Sequence, residues 1–155
     1  QFCEKVQLTK RILDKPAITA DIIVGFPGET EQDFQRSHEL MDWAGFAKTH
    51  IFAFSLLFNN VAAKMSGKLS PNIVKDRTKT LHRLDERLQA RFREKFIGKE
   101  LSVLIEKGGS SARGRCGRYF TVELPEAKVR KNTFVRAALI ENGRQAAIGR
   151  LVRTG

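Results

Sequence analysis

The chain has little cysteine and no long apolar run. Two cysteines in 155 residues are too few for a disulfide framework, and Cys3 and Cys116 form neither a metal-site spacing nor a three-cysteine cluster motif. Both are read as ordinary thiols. No apolar stretch approaches the roughly 18 residues a membrane-crossing helix needs. The opening segment QFCEKVQLTK has no apolar core of the kind a signal peptide carries. The expectation is a cytoplasmic protein without a membrane partner. There is no repeat of solenoid length and no low-complexity tract. The hydrophobic fraction of 41% is that of a globular chain, and the length allows one ordinary domain or two small ones.

The net charge of +11 is unevenly placed. Residues 1–69 carry 8 Lys/Arg and 8 Asp/Glu, whereas residues 70–155 carry 20 and 9. The whole excess lies in the second half, which suggests a part that meets a polyanion. Nucleic acid fits best, because fixed cations displace condensed counterions from phosphates. A merely solvated basic surface is the alternative.

Along the chain, Val6, Leu8, Ile12 and Leu13 mark a helix ending before Pro16. Ile18 to Val24 is a short, largely β-branched run between Pro16 and Gly25, read as a strand buried on both faces. Gly25, Pro27 and Gly28 turn the chain. Thr30 suits a helix N-cap, with Asp33 completing a capping box in place of the usual longer acid. Phe34, Leu40, Met41 and Trp43 are expected to face the core of a helix over 31–44, and Gly45 stops it. HIFAFS, residues 50–55, reads as a second strand, parallel to the first through a right-handed crossover. After a loop over 59–71, a helix runs from Pro71 to about residue 97. Its apolar stripe is Ile73, Leu81, Leu84, Leu88, Phe92 and Phe96, and its other faces are basic. From residue 99, LSVLIEK, RYFTVEL, TFVRAALIE and AAIGRLV are short β-rich segments. KGGSSARGRCG, PEAKVRKN and NGRQ separate them. They predict an OB-like barrel of roughly five strands.

GFPGET at the strand-to-helix turn could cradle a phosphate. It lacks a Gly-Lys-Ser/Thr ending, and Glu29, Glu31 and Asp33 would repel an anion. A neutral or cationic ligand or a plain βα turn remain. Asp21, inside an apolar strand, either lines a site or pairs with a structural arginine. His50 is equally open. In the β-rich part, Arg113, Arg115 and Arg118 precede Tyr119, and Lys128, Arg130 and Lys131 fall in the next loop. Cations beside an aromatic on such a barrel suit RNA, with phosphates on arginine and a base on the ring. Core packing of Tyr119 and general solubility are the alternatives.

TADIIVGFPGETEQDF, then HIFAFS with AAKM ten residues beyond Phe52, then the arginine-studded helix, resembles the radical S-adenosylmethionine methylthiotransferases that modify tRNA. IGKELSVLIE and GRCGRYFTV resemble their TRAM domain, although the family tends to have an Asn-Tyr pair after the glycine. His50 before IFAFS is most similar to the subgroup acting on threonylcarbamoyladenosine beside the anticodon. The resemblance implies an α/β part followed by an all-β part. Residues 1–69 would be the C-terminal fragment of a partial, TIM-like (βα) barrel, residues 70–97 a linking helix, and residues 98–155 the TRAM barrel. It implies tRNA as partner, and S-adenosylmethionine with two four-iron, four-sulfur clusters as cofactors of the full-length enzyme. An N-terminal part carrying the cluster cysteines would be missing, so this chain is expected to bind no cluster and to be inactive alone. Asp21, Gly25, Gly28 and Glu29 would edge the S-adenosylmethionine pocket, the glycines allowing close approach and the acids orienting amine or hydroxyl groups. No catalytic residue and no metal ligand is assigned. Leu57 and Asn59-Asn60 stand where the family has an arginine and a Gly-Thr pair. The alternatives are a standalone RNA-binding module with a remnant α/β lobe, or another radical enzyme sharing this half of the barrel.

Overall fold

The structure, a computed structural model, describes residues 1–55 and 61–152. Leu57 and Asn59-Asn60 lie outside the described residues. The chain divides into two compact units, one formed by Gln1–Val6 with Ile18–Leu88, the other by Gln7–Ala17 with the chain from Gln89 onward. Helix α1 spans Phe2–Ile12, and helix α3, Pro71–Glu94, contributes to both units. Among the described residues no helix is long and apolar enough to cross a membrane.

In the first unit, β1 (Thr19–Val24) and β2 (Lys48–Ala53) pair in parallel, with Thr19 opposite Lys48 and Ile23 opposite Phe52. Helix α2 (Glu31–Ala44) connects them. The Thr30 hydroxyl accepts the Asp33 N–H at 3.1 Å, and the Asp33 carboxylate accepts the Thr30 N–H at 3.1 Å, a complete capping box. Aspartate serves in place of glutamate there because the Thr30 hydroxyl also donates to it at 2.6 Å. At the other end Gly45 adopts φ 56°, and its N–H returns to the Met41 carbonyl. Val24, Phe34, Met41, Ala44, Phe46, Leu81, Leu84 and Leu88 form the core, with Ile18, Ala20, Ile22 and Ile51 against it.

Three expectations are corrected here. β1 is covered on one face only: Thr19, Asp21 and Ile23 are exposed in alternation with the inward residues. β-Branching makes a run look buried whether one face or two is covered, and in this unit a two-stranded sheet carries its core on one side. Leu40 and Trp43 are 36% and 45% exposed, because the buried stripe of α2 is the narrower set Phe34, Met41 and Ala44. Ile73 is likewise exposed, near the start of α3.

The second unit is a closed barrel in the order β3-β4-β5-β7-β6. Its strands are β3 (Glu100–Lys107), β4 (Gly109–Cys116), β5 (Thr121–Val129), β6 (Phe134–Asn142) and β7 (Ala147–Leu151). All neighbours are antiparallel except β5 and β7. The OB-like expectation of about five strands is compatible with this barrel, but two connections were misplaced. GSSARGRC, read as a turn, is β4, with Ala112, Gly114 and Cys116 inward and Ser111, Arg113 and Arg115 outward. Its period of two is carried by small residues, since a Cβ at Gly114 would collide with the Leu104 carbonyl oxygen. β5 continues through PEAKV, which places Lys128 in a strand rather than a loop. Phe92, Phe96 and Phe120 meet at one place in this unit, with ring centroids 5.3, 5.5 and 6.2 Å apart.

Candidate functional site

At the C-terminal ends of the two parallel strands the first unit has a hollow of about 470 Å³. Gly25 and Pro27 after β1, Phe54 after β2 and Val74 of α3 make its apolar wall, and Lys68 and Lys75 add cations. Ligands bind at strand ends of this kind in parallel α/β folds. Gly25 has φ 79°, and a Cβ there would lie 2.5 Å from Val74 Cγ2, so only glycine lets the turn approach α3 this closely. The Gly28 N–H donates to the Gly67 carbonyl at 2.8 Å.

The acids of the turn are already engaged. Glu29 accepts the Gly25 N–H at 2.9 Å and Arg77 Nη1 at 2.6 Å, while Arg77 Nη2 donates to Glu31 at 2.8 Å. The Arg77 guanidinium also lies over the Phe34 ring, 5.1 Å from its centroid. Burial by itself would lower the Arg77 pKa, but bonds to Glu29 and Glu31 more than offset that and leave it raised. Asp33 is committed to the helix cap. Arg77, a residue read only as part of a basic helix face, thus engages two of the three acids expected from the sequence and offsets one of their charges. Asp21 does not join this group. It is exposed beside His50 in the β1–β2 register and borders a separate hollow of about 220 Å³. Because its side chain is exposed, no structural arginine is needed to offset burial.

On the barrel, Arg113 and Arg115 project outward from β4, about half exposed, toward Glu123 at 3.9 Å and Glu106 at 3.2 Å. Arg118 has a different role. Its Nη1 donates to the Asp14 and Lys15 carbonyls at 2.7 and 3.2 Å, and its Nη2 to the Asp14 carboxylate at 3.3 Å. Tyr119 is 73% exposed at φ 63°, which removes core packing as an explanation for it. Phe120 takes the buried position instead. Lys128, Arg130 and Lys131 are exposed, but Val129 pairs with Gly109 while Thr121 pairs with Arg115. The two basic groups thus sit at opposite ends of the β4–β5 ladder, about 20 Å apart at strand rise, rather than in one compact patch. A further set of cations, Lys10, Lys15, Lys95 and Lys99, went unread because its members come from distant parts of the sequence.

Among the described residues no group of His, Cys, Asp or Glu could hold a metal ion. Cys3 is exposed, and Cys116 is buried inside the barrel with its thiol pKa raised by that burial. Two thiols do not meet the need of an iron–sulfur cluster for several thiolates.

An α/β unit with a strand-end hollow, followed by a five-stranded barrel with outward arginines, defines a two-unit protein joining a ligand-binding type of scaffold to a small-barrel one. No family model matches the chain. Among curated proteins it is 36% identical over 108 residues to a tRNA-2-methylthio-N(6)-dimethylallyladenosine synthase of Thermobifida fusca, covering 70% of this chain and 22% of that protein. It is 43% identical over 90 residues to a threonylcarbamoyladenosine tRNA methylthiotransferase of Thermotoga maritima, covering 58% and 21%. A Zymomonas mobilis tRNA-2-methylthio-N(6)-dimethylallyladenosine synthase matches 92% of the chain at 31% identity, over 33% of its own length. The chain belongs to the tRNA methylthiotransferase family. It spans between about a fifth and a third of the length of these relatives.

Proposed function

We propose that the chain is the C-terminal portion of a tRNA methylthiotransferase that adds a methylthio group to a modified adenosine near the anticodon, acting in the cytoplasm. The observation that carries this reading is the match to 92% of the chain by one such relative, joined to a second unit that is a basic, closed barrel. The 43% identity to the threonylcarbamoyladenosine enzyme supports that nucleoside as substrate. In this reading residues 1–69 are the end of a partial TIM-like barrel, residues 70–97 the linking helix, and residues 98–155 a TRAM domain. The parallel β1–β2 pair with one bare face supports the first assignment, because a larger barrel would cover Ile23 and Phe52.

S-adenosylmethionine suits the strand-end hollow in its size and in its apolar wall, against which an adenine could lie. Gly25 would admit the ligand closely and Glu29 would hold the Gly25 turn in shape, whereas Gly28 lies outside the lining of the hollow and bonds to the Gly67 carbonyl. Asp21 would sit farther back on β1. When bound, that cofactor supplies the methyl group and, with reduced clusters, a radical. The clusters belong to the rest of the polypeptide, since the thiols here are too few. The chain alone is therefore expected to be inactive, and anaerobic reconstitution with iron analysis and a methylthiolation assay checks this.

The tRNA-binding half is directly testable. The chain should bind tRNA with an affinity that falls by about tenfold or more between 50 and 200 mM salt. Arg113→Ala with Arg115→Ala should lower both affinity and salt slope. Tyr119→Ala should cost about 1–3 kcal/mol of binding with the slope preserved and should leave thermal stability unchanged. Binding that survives high salt and ignores all three substitutions would sink the reading.

A further inference from the structure

The second unit holds several cations together against their mutual repulsion. Lys10 lies in the last turn of α1, Lys15 in the segment after it, Lys95 and Lys99 just beyond α3, and Arg118 in the β4–β5 turn. The Lys15 ammonium donates to the Lys95 carbonyl at 3.2 Å and stands 5.7 Å from the centroid of the Phe96 ring. The Arg118 guanidinium lies 5.5 Å from the same ring, and Lys95 stands 5.4 Å from that of Phe92. The Lys15 pKa is lowered by the neighbouring Lys99 side chain first, then by burial and by the charges of Lys99 and Arg118. Asp14 opposes the shift but is bonded to Arg118. Lys10 is lowered by burial and then by Lys95 and Arg91. Glu94, the nearest acid in sequence to Lys95, accepts from Asn142.

A cation at a helix C-terminus is stabilised by the helix carbonyls, which accounts for Lys10 taken singly. It does not account for Lys15 beside Lys99, nor for the Lys15 backbone at φ 44°, in the left-handed region that side chains disfavour. Arg118 holds that strained turn through the carbonyls of Asp14 and Lys15. Strain and like-charge crowding maintained together on a surface mark a place where an anion belongs.

We propose that Lys10, Lys15, Lys95 and Lys99 form a phosphate-binding site for the sugar–phosphate backbone of RNA, with Arg118 as its positioning residue. This rests on the RNA-binding reading above and adds a site outside the β4 arginines. Phosphate oxygens between Lys15 and Lys99 would replace repulsion by two charge-assisted bonds. Tyr119, exposed and directly after Arg118, would offer its ring to a neighbouring base.

The test uses the full chain and an unmodified tRNA transcript. Lys15→Gln with Lys99→Gln should weaken binding about tenfold and reduce the salt slope by about two, one for each lost phosphate contact. Thermal stability should hold or rise as repulsion is relieved, and Lys15→Arg with Lys99→Arg should restore binding. Side-chain NMR of Lys15 should show its pKa rising when the transcript is added. If the Gln pair binds as the parent does, while Arg113→Ala with Arg115→Ala weakens binding, the RNA reading stands and this site is overturned. If the unsubstituted chain binds no transcript and Lys15 does not shift, both are overturned.

Discussion

Arg77 and Glu29, 48 residues apart, meet at 2.6 Å with side chains only 9% and 11% exposed. This pair ties α3 to the strand-end turn of the first unit. It also offsets one of the negative charges of that acidic turn.

Removing Arg77 leaves the Glu29 charge buried without its partner, so Arg77→Met should destabilise the first unit by about 3–5 kcal/mol. Arg77→Lys should cost less, keeping the charge but losing the fork that spans Glu29 and Glu31. Glu29→Gln on the Met background should recover part of the loss. Urea denaturation followed by Trp43 fluorescence reads all three.

Gly25 and Gly28 have similar positive φ values but different surroundings. Gly25→Ala would drive a Cβ into Val74, a stiff β-branched neighbour, and should cost about 1–3 kcal/mol from crowding beyond the backbone penalty. Nothing lies within 4 Å of the corresponding position at Gly28, so Gly28→Ala should show only the backbone penalty, about 1 kcal/mol. Val74→Ala should rescue the first variant and not the second. Equal losses from the two alanines would contradict the close approach of α3.

The capping box should be visible in the pH dependence of stability. Hydrogen bonds from the Thr30 side chain, then from its backbone, hold the Asp33 carboxyl below its ordinary pKa. A depressed folded-state pKa means that this contribution is complete above the unfolded-state pKa, near 4, and is lost as pH falls through the folded value. Asp33→Asn should therefore lower the melting temperature at neutral pH, with the difference shrinking toward pH 2. A melting series from pH 7 to 2 checks it.

Arg93 is 2% exposed. It donates to Asn142 Oδ1 at 3.0 Å and to the Gly143 and Arg144 carbonyls at 3.0 and 3.2 Å. Burial lowers its pKa, yet it still organises the β6–β7 turn. Arg93→Met should destabilise the second unit by about 2–3 kcal/mol through carbonyls left unbonded. Asn142→Ala should lose part of the same energy, so the double variant should fall short of the sum. Hydrogen exchange confined to residues 139–147 locates the effect.

Local chemistry was legible because it acts over a few residues. Thr30, Asp33 and Gly45 mark the ends of α2 by hydrogen bonds spanning three or four positions, and the order strand, helix, strand follows from apolar spacing. The β4 strand escaped because its inward face is made of Ala112, Gly114 and Cys116, whose small side chains give no hydrophobic alternation. The alternation of Tyr119, Thr121 and Glu123 with Phe120, Val122 and Leu124 places Tyr119 on the less apolar face, and in the structure Tyr119 is exposed and Phe120 buried.

The sequence by itself determined the helices and the strands other than β4, the capping of α2, the charge excess of the second half and the resemblance to a tRNA-modifying family. Those are properties of composition and short spacing. Only the tertiary structure decided that Arg77 bridges Glu29 and Glu31 after β1, that Asp21 stands apart from them, and that Lys15 and Lys99 share one small region. Each of these depends on residues dozens of positions apart being brought within a few ångströms, where Coulomb and hydrogen-bond energies become large, and no local pattern encodes that distance.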